Sequence, residues 1–158
     1  MTVPTVSGAT ETMNTAVEAP PKRILVLASL LCAYPGIDST GQAHLDYPAN
    51  TYVLPTPDPV MFPESFYLYC FEHGIDGILI ASCGTDSPFE GAYEQLAARV
   101  GRVVATMKDR GIDLRRLRLT AICSVCSKAF VKEVGDLARV VAELGPAADT
   151  PGVEEASA

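Results

Sequence analysis

The sequence has little positive charge, no long apolar run and few histidines. Lys and Arg together number 12 against 19 Asp and Glu, which gives a formal net charge of -7. Such an acidic balance argues against nonspecific nucleic-acid binding and against docking on an anionic membrane surface. No apolar stretch approaches the ~20 residues that a membrane-spanning helix needs. Because His44 is isolated and no phosphate-binding glycine loop is present, the sequence offers no convincing catalytic base or nucleotide site.

The sequence also lacks the features of a secreted protein. The first 22 residues contain no basic segment followed by an apolar one, so we expect no secretory signal. Five cysteines is an odd number for a disulfide scaffold, and 158 residues provide enough core to need none. We therefore expect a cytoplasmic protein whose thiols are reduced or bound to a ligand.

Apolar runs and helical patterns alternate four times along the chain. The runs predict buried strands at residues 23–31, 51–54, 77–82 and 117–122. The predicted helices cover residues 37–47 after a turn at 33–36, residues 63–74, residues 88–111 after a capping box at Ser87, and a last segment with an apolar face from Phe130 to Val141.

This order predicts an α/β fold, a flavodoxin-like parallel sheet of about four strands with helices on both faces. The expected strand order is 2-1-3-4. We place the domain at residues 22–145, between a disordered arm at 1–21 and a disordered tail at 146–158, because neither flank has an apolar period.

Four cysteines follow the ends of predicted strands. Cys32 follows the first strand, Cys83 the third, and Cys123 and Cys126 the fourth. Neighbouring parallel strands lie about 4.8 Å apart and point the same way, so these thiols should converge at one edge of the sheet. The fifth cysteine, Cys70, falls mid-helix between two aromatic residues, and we interpret it as a buried core residue.

Several uses of these four thiols fit the pattern. Four thiolates are the ligand set of an iron–sulfur cluster, which is the interpretation we favour. A structural zinc site would use the same ligands, but it suits small loop-rich modules better than a domain with a sheet core. A redox dithiol would use Cys123 and Cys126 and leave Cys32 and Cys83 unexplained. Four unrelated buried cysteines are the remaining alternative.

Three separated motifs resemble a known family. Residues 32–38 (CAYPGID) and 45–48 (LDYP) are similar to the C-x-Y-x-G-A-D and Q-Y-P opening of the delta subunit of methyl-viologen-reducing hydrogenase. Residues 72–83 (EHGIDGILIASC) resemble its E-G-A-D-G-V-x-V-x-G-C segment, and residues 111–118 (GIDLRRLR) its G-I-x-x-E-R-L approach to the last strand. The resemblance covers roughly residues 22–145.

The resemblance implies a small iron–sulfur protein, usually of the 2Fe-2S type, although 4Fe-4S stays open. Proteins of this kind pass electrons between an oxidoreductase subunit, which donates or accepts them, and a flavin subunit related to heterodisulfide reductase. Their role is electron transfer rather than catalysis. Carried over by position, Cys32 and Cys83 match cysteines of the family.

The chain departs from the family pattern at several cysteine positions. The family often has a cysteine where this chain has Ser29, and it has another where this chain has Pro88. Cys123 and Cys126 occupy positions at which many members have none. We interpret this as a ligand set that has moved to an adjacent strand end, and we therefore predict Cys32, Cys83, Cys123 and Cys126 as ligands of one cluster. A cluster-free subunit that bridges a redox complex and a CxxC dithiol protein are the alternatives.

Overall fold

Four parallel strands form one sheet in the computed structural model, which describes residues 22–147. The strands are β1 (Ile24–Ser29), β2 (Thr51–Thr56), β3 (Gly77–Ser82) and β4 (Leu117–Ala121), in the order β2-β1-β3-β4. The predicted α/β, flavodoxin-like architecture is confirmed. The arm predicted at 1–21 and residues 148–158 of the predicted tail lie outside the described residues.

Four helices cover the two faces of this sheet. They are α1 (Ala33–Gln42), α2 (Glu64–Glu72), α3 (Ala92–Asp109) and α4 (Ser127–Leu144). Core side chains of α1 and α4 pack with one face, and those of α2 and α3 pack with the other. Among the described residues, no helix is both long and apolar enough to cross a membrane.

Burial along the strands follows their position in the sheet. Every residue of β3 is buried, as expected for a central strand with helices on both sides. The edge strand β2 instead alternates between exposed and half-buried residues over most of its length. It also continues through Pro55, where we expected it to stop, because proline is tolerated on an edge strand that pairs on one side.

Two helix starts differ from the sequence prediction. Helix α1 begins at Ala33 rather than 37, since Pro35 falls in the first turn, where the missing N–H has no intrahelical partner in any case. Helix α3 begins at Ala92, and the predicted capping box does not form. The Ser87 hydroxyl donates instead to a carboxylate oxygen of Asp58 at 3.2 Å.

A buried polar network closes the amino end of the sheet. The carboxylate of Asp76 accepts hydrogen bonds from the backbone N–H groups of Arg23 at 2.9 Å and Ala147 at 2.8 Å. Arg116, only 2% exposed, donates to the backbone carbonyls of Asp76, Leu144 and Pro146. Burial lowers the pKa of its guanidinium. The network thus ties the start of β1 to the residues that follow α4.

Replacing Asp76 tests how much this network stabilises the fold. Asp76→Ala removes the acceptor of the Arg23 and Ala147 backbone N–H groups and should lower the free energy of unfolding by about 2 to 4 kcal/mol. Asp38→Ala is the matched control, because Asp38 is exposed on α1, and it should change stability by less than about 0.5 kcal/mol. Urea unfolding followed by circular dichroism measures both variants. Equal stability of the two would contradict this role of Asp76.

Candidate functional site

The carboxyl ends of β1, β3 and β4 carry four cysteines. Cys32 directly precedes α1, and Cys83 directly follows β3. Cys123 lies just beyond β4, and Cys126 directly precedes α4. We call this region, defined by the four residues, the cysteine edge. Strand pairing explains it, because β3 is hydrogen-bonded to both β1 and β4 in parallel.

The four sulfurs are joined in two disulfides. Cys32 is bonded to Cys83 across β1 and β3, with a Cα–Cα distance of 5.2 Å. Cys123 is bonded to Cys126 within the turn before α4, with a Cα–Cα distance of 5.1 Å. Both distances lie in the usual range for disulfides. The structure therefore differs from the expectation of reduced or ligand-bound thiols, because the fold brings each pair of sulfurs within bonding distance.

Gly36 lets helix α1, which follows Cys32, pack against the turn between Cys123 and Cys126. It lies one helical turn after Cys32 in α1. A Cβ atom at this position would collide with the carbonyl oxygen of Cys123 and would lie 3.6 Å from the backbone nitrogen of Cys126. The absence of a side chain therefore lets α1 pack directly on the turn that holds the second disulfide.

The Cys32–Cys83 disulfide lies against a buried serine. Cys83 is 8% exposed, and its sulfur lies 3.4 Å from the hydroxyl oxygen of Ser29. The same oxygen accepts a hydrogen bond from the N–H of Ala33 at 3.2 Å. Ser29 stands where the family that the chain resembles often has a further cysteine. In this structure that position lies beside Cys83.

The Cys123–Cys126 disulfide lies on the surface. Cys123 and Ser124 are exposed, and Val125 is 82% exposed. On the β1 side of the cysteine edge, Leu31 is 59% exposed. Both are large apolar side chains that remain exposed near the cysteine edge. The sequence analysis did not identify Leu31 or Val125. The available signal was that each is an apolar residue next to a cysteine, and only the structure shows that both are exposed.

Cys70 lies away from this site. It is 7% exposed and belongs to the core cluster on the α2 and α3 face of the sheet. Burial raises the pKa of its thiol. The prediction that Cys70 is a core residue is confirmed.

The donor set suits an iron–sulfur cluster only after both disulfides are reduced. Four cysteine thiolates in two adjacent pairs are the ligands that such clusters take. With the sulfurs paired as they are, residues 22–147 contain no group of three or more His, Cys, Asp or Glu side chains arranged to hold a metal ion.

A family model described as methyl-viologen-reducing hydrogenase, delta subunit, matches residues 24–145. One relative is a component of the ferredoxin/F(420)H(2)-dependent CoB-CoM heterodisulfide reductase of Methanosarcina acetivorans, 28% identical over 133 residues. Another is a component of the ferredoxin:CoB-CoM heterodisulfide reductase of Methanosarcina mazei, 27% identical over 117 residues. These matches cover 78% and 73% of this chain but span only 17% and 15% of the length of the two relatives.

A shorter relative matches over most of its own length. It is the iron-sulfur subunit of the F420-non-reducing hydrogenase vhc of Methanococcus voltae, and it is 23% identical over 116 residues. The match covers 73% of this chain and 81% of that protein. Similar sequence therefore occurs both as part of long polypeptides and as a small separate subunit.

Substitution of Gly36 tests the contact between α1 and the turn of the second disulfide. Gly36→Ala should lower the free energy of unfolding by about 1 to 3 kcal/mol, because the new methyl group meets a backbone oxygen that cannot rotate away. Gly41→Ala, in the same helix but with no atom within 4 Å of the added Cβ, should instead be neutral or stabilising by up to about 1 kcal/mol. Thermal unfolding of both variants provides the comparison. A Gly36→Ala variant as stable as Gly41→Ala would show that the close contact is absent.

Proposed function

The chain belongs to the family of the methyl-viologen-reducing hydrogenase delta subunit, and we propose that it is an electron-transfer subunit of a larger redox complex. In this proposal the cysteine edge holds an iron–sulfur cluster through Cys32, Cys83, Cys123 and Cys126. One observation carries the proposal. Four cysteines that follow three strands lie at one edge of the sheet, within the residues that the family model matches. The Methanococcus voltae relative is named as an iron-sulfur subunit, which supports the proposal.

Of the two cluster types we propose 2Fe-2S, which is the type that the family resemblance implies. Four cysteine thiolates are the ligand set of either type, and Cys32, Cys83, Cys123 and Cys126 would supply them. When bound, such a cluster takes up and releases single electrons. The chain contributes the ligands, and the buried Ser29 hydroxyl next to Cys83 provides a hydrogen-bond partner that would tune the electron affinity.

The partners in this proposal are two further subunits. One is a flavin subunit like heterodisulfide reductase, since segments similar to this chain are part of longer heterodisulfide reductase polypeptides. The other is an oxidoreductase subunit that donates or accepts electrons. The apolar side chains of Leu31 and Val125 beside the cysteine edge would contact such a partner and exclude water there. We propose a cytoplasmic complex, because that compartment keeps thiols reduced.

A cluster-free subunit that bridges such a complex is the second candidate. The two disulfides favour it, since a chain with its four sulfurs bonded in pairs has no thiolate at this edge to bind iron. Purification under anaerobic, reducing conditions distinguishes the two candidates. Bound iron and sulfide with visible absorption support the cluster, whereas a colourless, iron-free protein supports the bridging role.

Substitution of single cysteines tests the ligand assignment. Replacing any one of Cys32, Cys83, Cys123 or Cys126 with Ala should remove or strongly weaken the visible absorption of the anaerobic protein, since an iron site would open to water. Cys70→Ala is the matched control. It should keep the spectrum and cost about 1 kcal/mol of stability, because a small core side chain is shortened. Loss of the spectrum in Cys70→Ala with retention in Cys126→Ala would refute the assignment.

A further inference from the structure

The two disulfides at the cysteine edge differ in their access to solvent. Cys83 is 8% exposed, and its sulfur is shielded beside Ser29. Cys123 is exposed, and so is Val125, which lies between Cys123 and Cys126 in sequence and is 82% exposed. Thiol–disulfide exchange begins when a thiolate reaches one of the sulfurs, so access strongly affects the rate. Cys32 and Cys126 are both half-buried, so the exposed Cys123 makes Cys123–Cys126 the more accessible of the two disulfides.

We propose that Cys123–Cys126 is a thiol–disulfide exchange site that accepts two electrons from a dithiol. This activity goes beyond the proposed function, because it requires no iron and takes place on the chain whose sulfurs are paired. It is a two-electron reaction of the paired sulfurs, whereas the proposed cluster would exchange single electrons once the same sulfurs were reduced and bound to iron. It is also the class of reaction that must precede metal binding, since the same sulfurs have to be reduced first.

The exchange balances in two steps. A thiolate of the incoming dithiol attacks the exposed sulfur of Cys123, the bond between Cys123 and Cys126 breaks, and Cys126 leaves as a thiolate. The mixed disulfide joins one sulfur of the dithiol to the sulfur of Cys123. The second thiolate of the dithiol then attacks the dithiol sulfur of this bond and releases Cys123 as a thiolate. The dithiol is oxidised to a disulfide by the loss of two electrons and two protons, and Cys123 and Cys126 end as two thiols.

The position of Cys126 favours its departure. It is the capping residue of α4, an 18-residue helix, and no side chain accepts a hydrogen bond from the first turn. The unpaired N–H groups and the helix dipole at this end favour negative charge. The first turn also contains Lys128 and no acidic residue. The incoming thiolate should therefore attack the sulfur of Cys123, the exposed residue. Cys126, which is half-buried, should be the leaving group.

The Cys32–Cys83 disulfide serves as the internal reference. It joins residues 51 positions apart in sequence and ties β1 to β3, whereas Cys123–Cys126 spans three positions within one turn. Its buried partner Cys83 restricts access to reductants. The two bonds should therefore be reduced at different rates in one and the same molecule.

Differential reduction of the iron-free chain tests this proposal. The protein with both disulfides intact is treated with dithiothreitol, a small dithiol, or with reduced thioredoxin, a protein dithiol, and is quenched with N-ethylmaleimide at set times. Mass spectrometry of the peptides should find labels on Cys123 and Cys126 at least tenfold earlier than on Cys32 and Cys83. If thioredoxin exceeds dithiothreitol in rate more strongly at Cys123–Cys126 than at Cys32–Cys83, a protein is the source of the dithiol, and an equal ratio at the two disulfides identifies a small molecule. Equal rates for the two disulfides, or faster labelling of Cys32 and Cys83, would overturn the proposal.

Two single variants test the order of attack. Cys126→Ser leaves the thiol of the exposed Cys123, and Cys123→Ser leaves the thiol of the half-buried Cys126. After each rate is corrected for its thiolate fraction from the pH dependence, Cys126→Ser should form a mixed disulfide with oxidised glutathione at least tenfold faster. Ser124→Ala, exposed in the same turn, should keep the wild-type reduction rate. Circular dichroism checks that each variant is folded. Equal reactivity of the two serine variants would overturn the assignment of Cys123 as the attacked sulfur. Since iron is absent throughout, failure of the cluster proposal and failure of this one give separate results.

Discussion

Parallel hydrogen bonding of β3 to both β1 and β4 is the constraint on which the rest of the site depends. It aligns the ends of three strands. Cys32 and Cys126, which are 94 positions apart in the sequence, therefore lie at the same edge of the sheet. No local motif could produce this arrangement. The opposite end of the sheet is held by the buried Asp76 and Arg116, which leaves the carboxyl edge to carry the reactive groups.

Much of the fold could be predicted because each central strand is a continuous apolar run between clear turn signals. The strand order followed from four strand–helix repeats, and the family resemblance is confirmed by the match over residues 24–145. The helix starts were harder. Pro35 and Gly36 are typical of a turn, yet the first turn of α1 accepts the proline and the contact with Cys123 requires the glycine.

The candidate site was predictable as a location but not as a set of bonds. The sequence indicated that Cys32, Cys83, Cys123 and Cys126 follow strand ends. It could not indicate that Cys32 lies within bonding distance of Cys83, since that depends on how far the chain turns after β1. The same four sulfurs can be disulfides or thiolates, and the redox state of the surroundings decides which chemistry the edge performs.

The central claim is that the four cysteines of this edge act together as one redox centre. Anomalous diffraction at the iron absorption edge, from crystals of the anaerobically purified and reduced protein, tests it most directly. The account predicts iron peaks between the sulfurs of Cys32, Cys83, Cys123 and Cys126, with none near Cys70. Iron bound by other residues, or four reduced thiols at this edge with no iron between them, would contradict it.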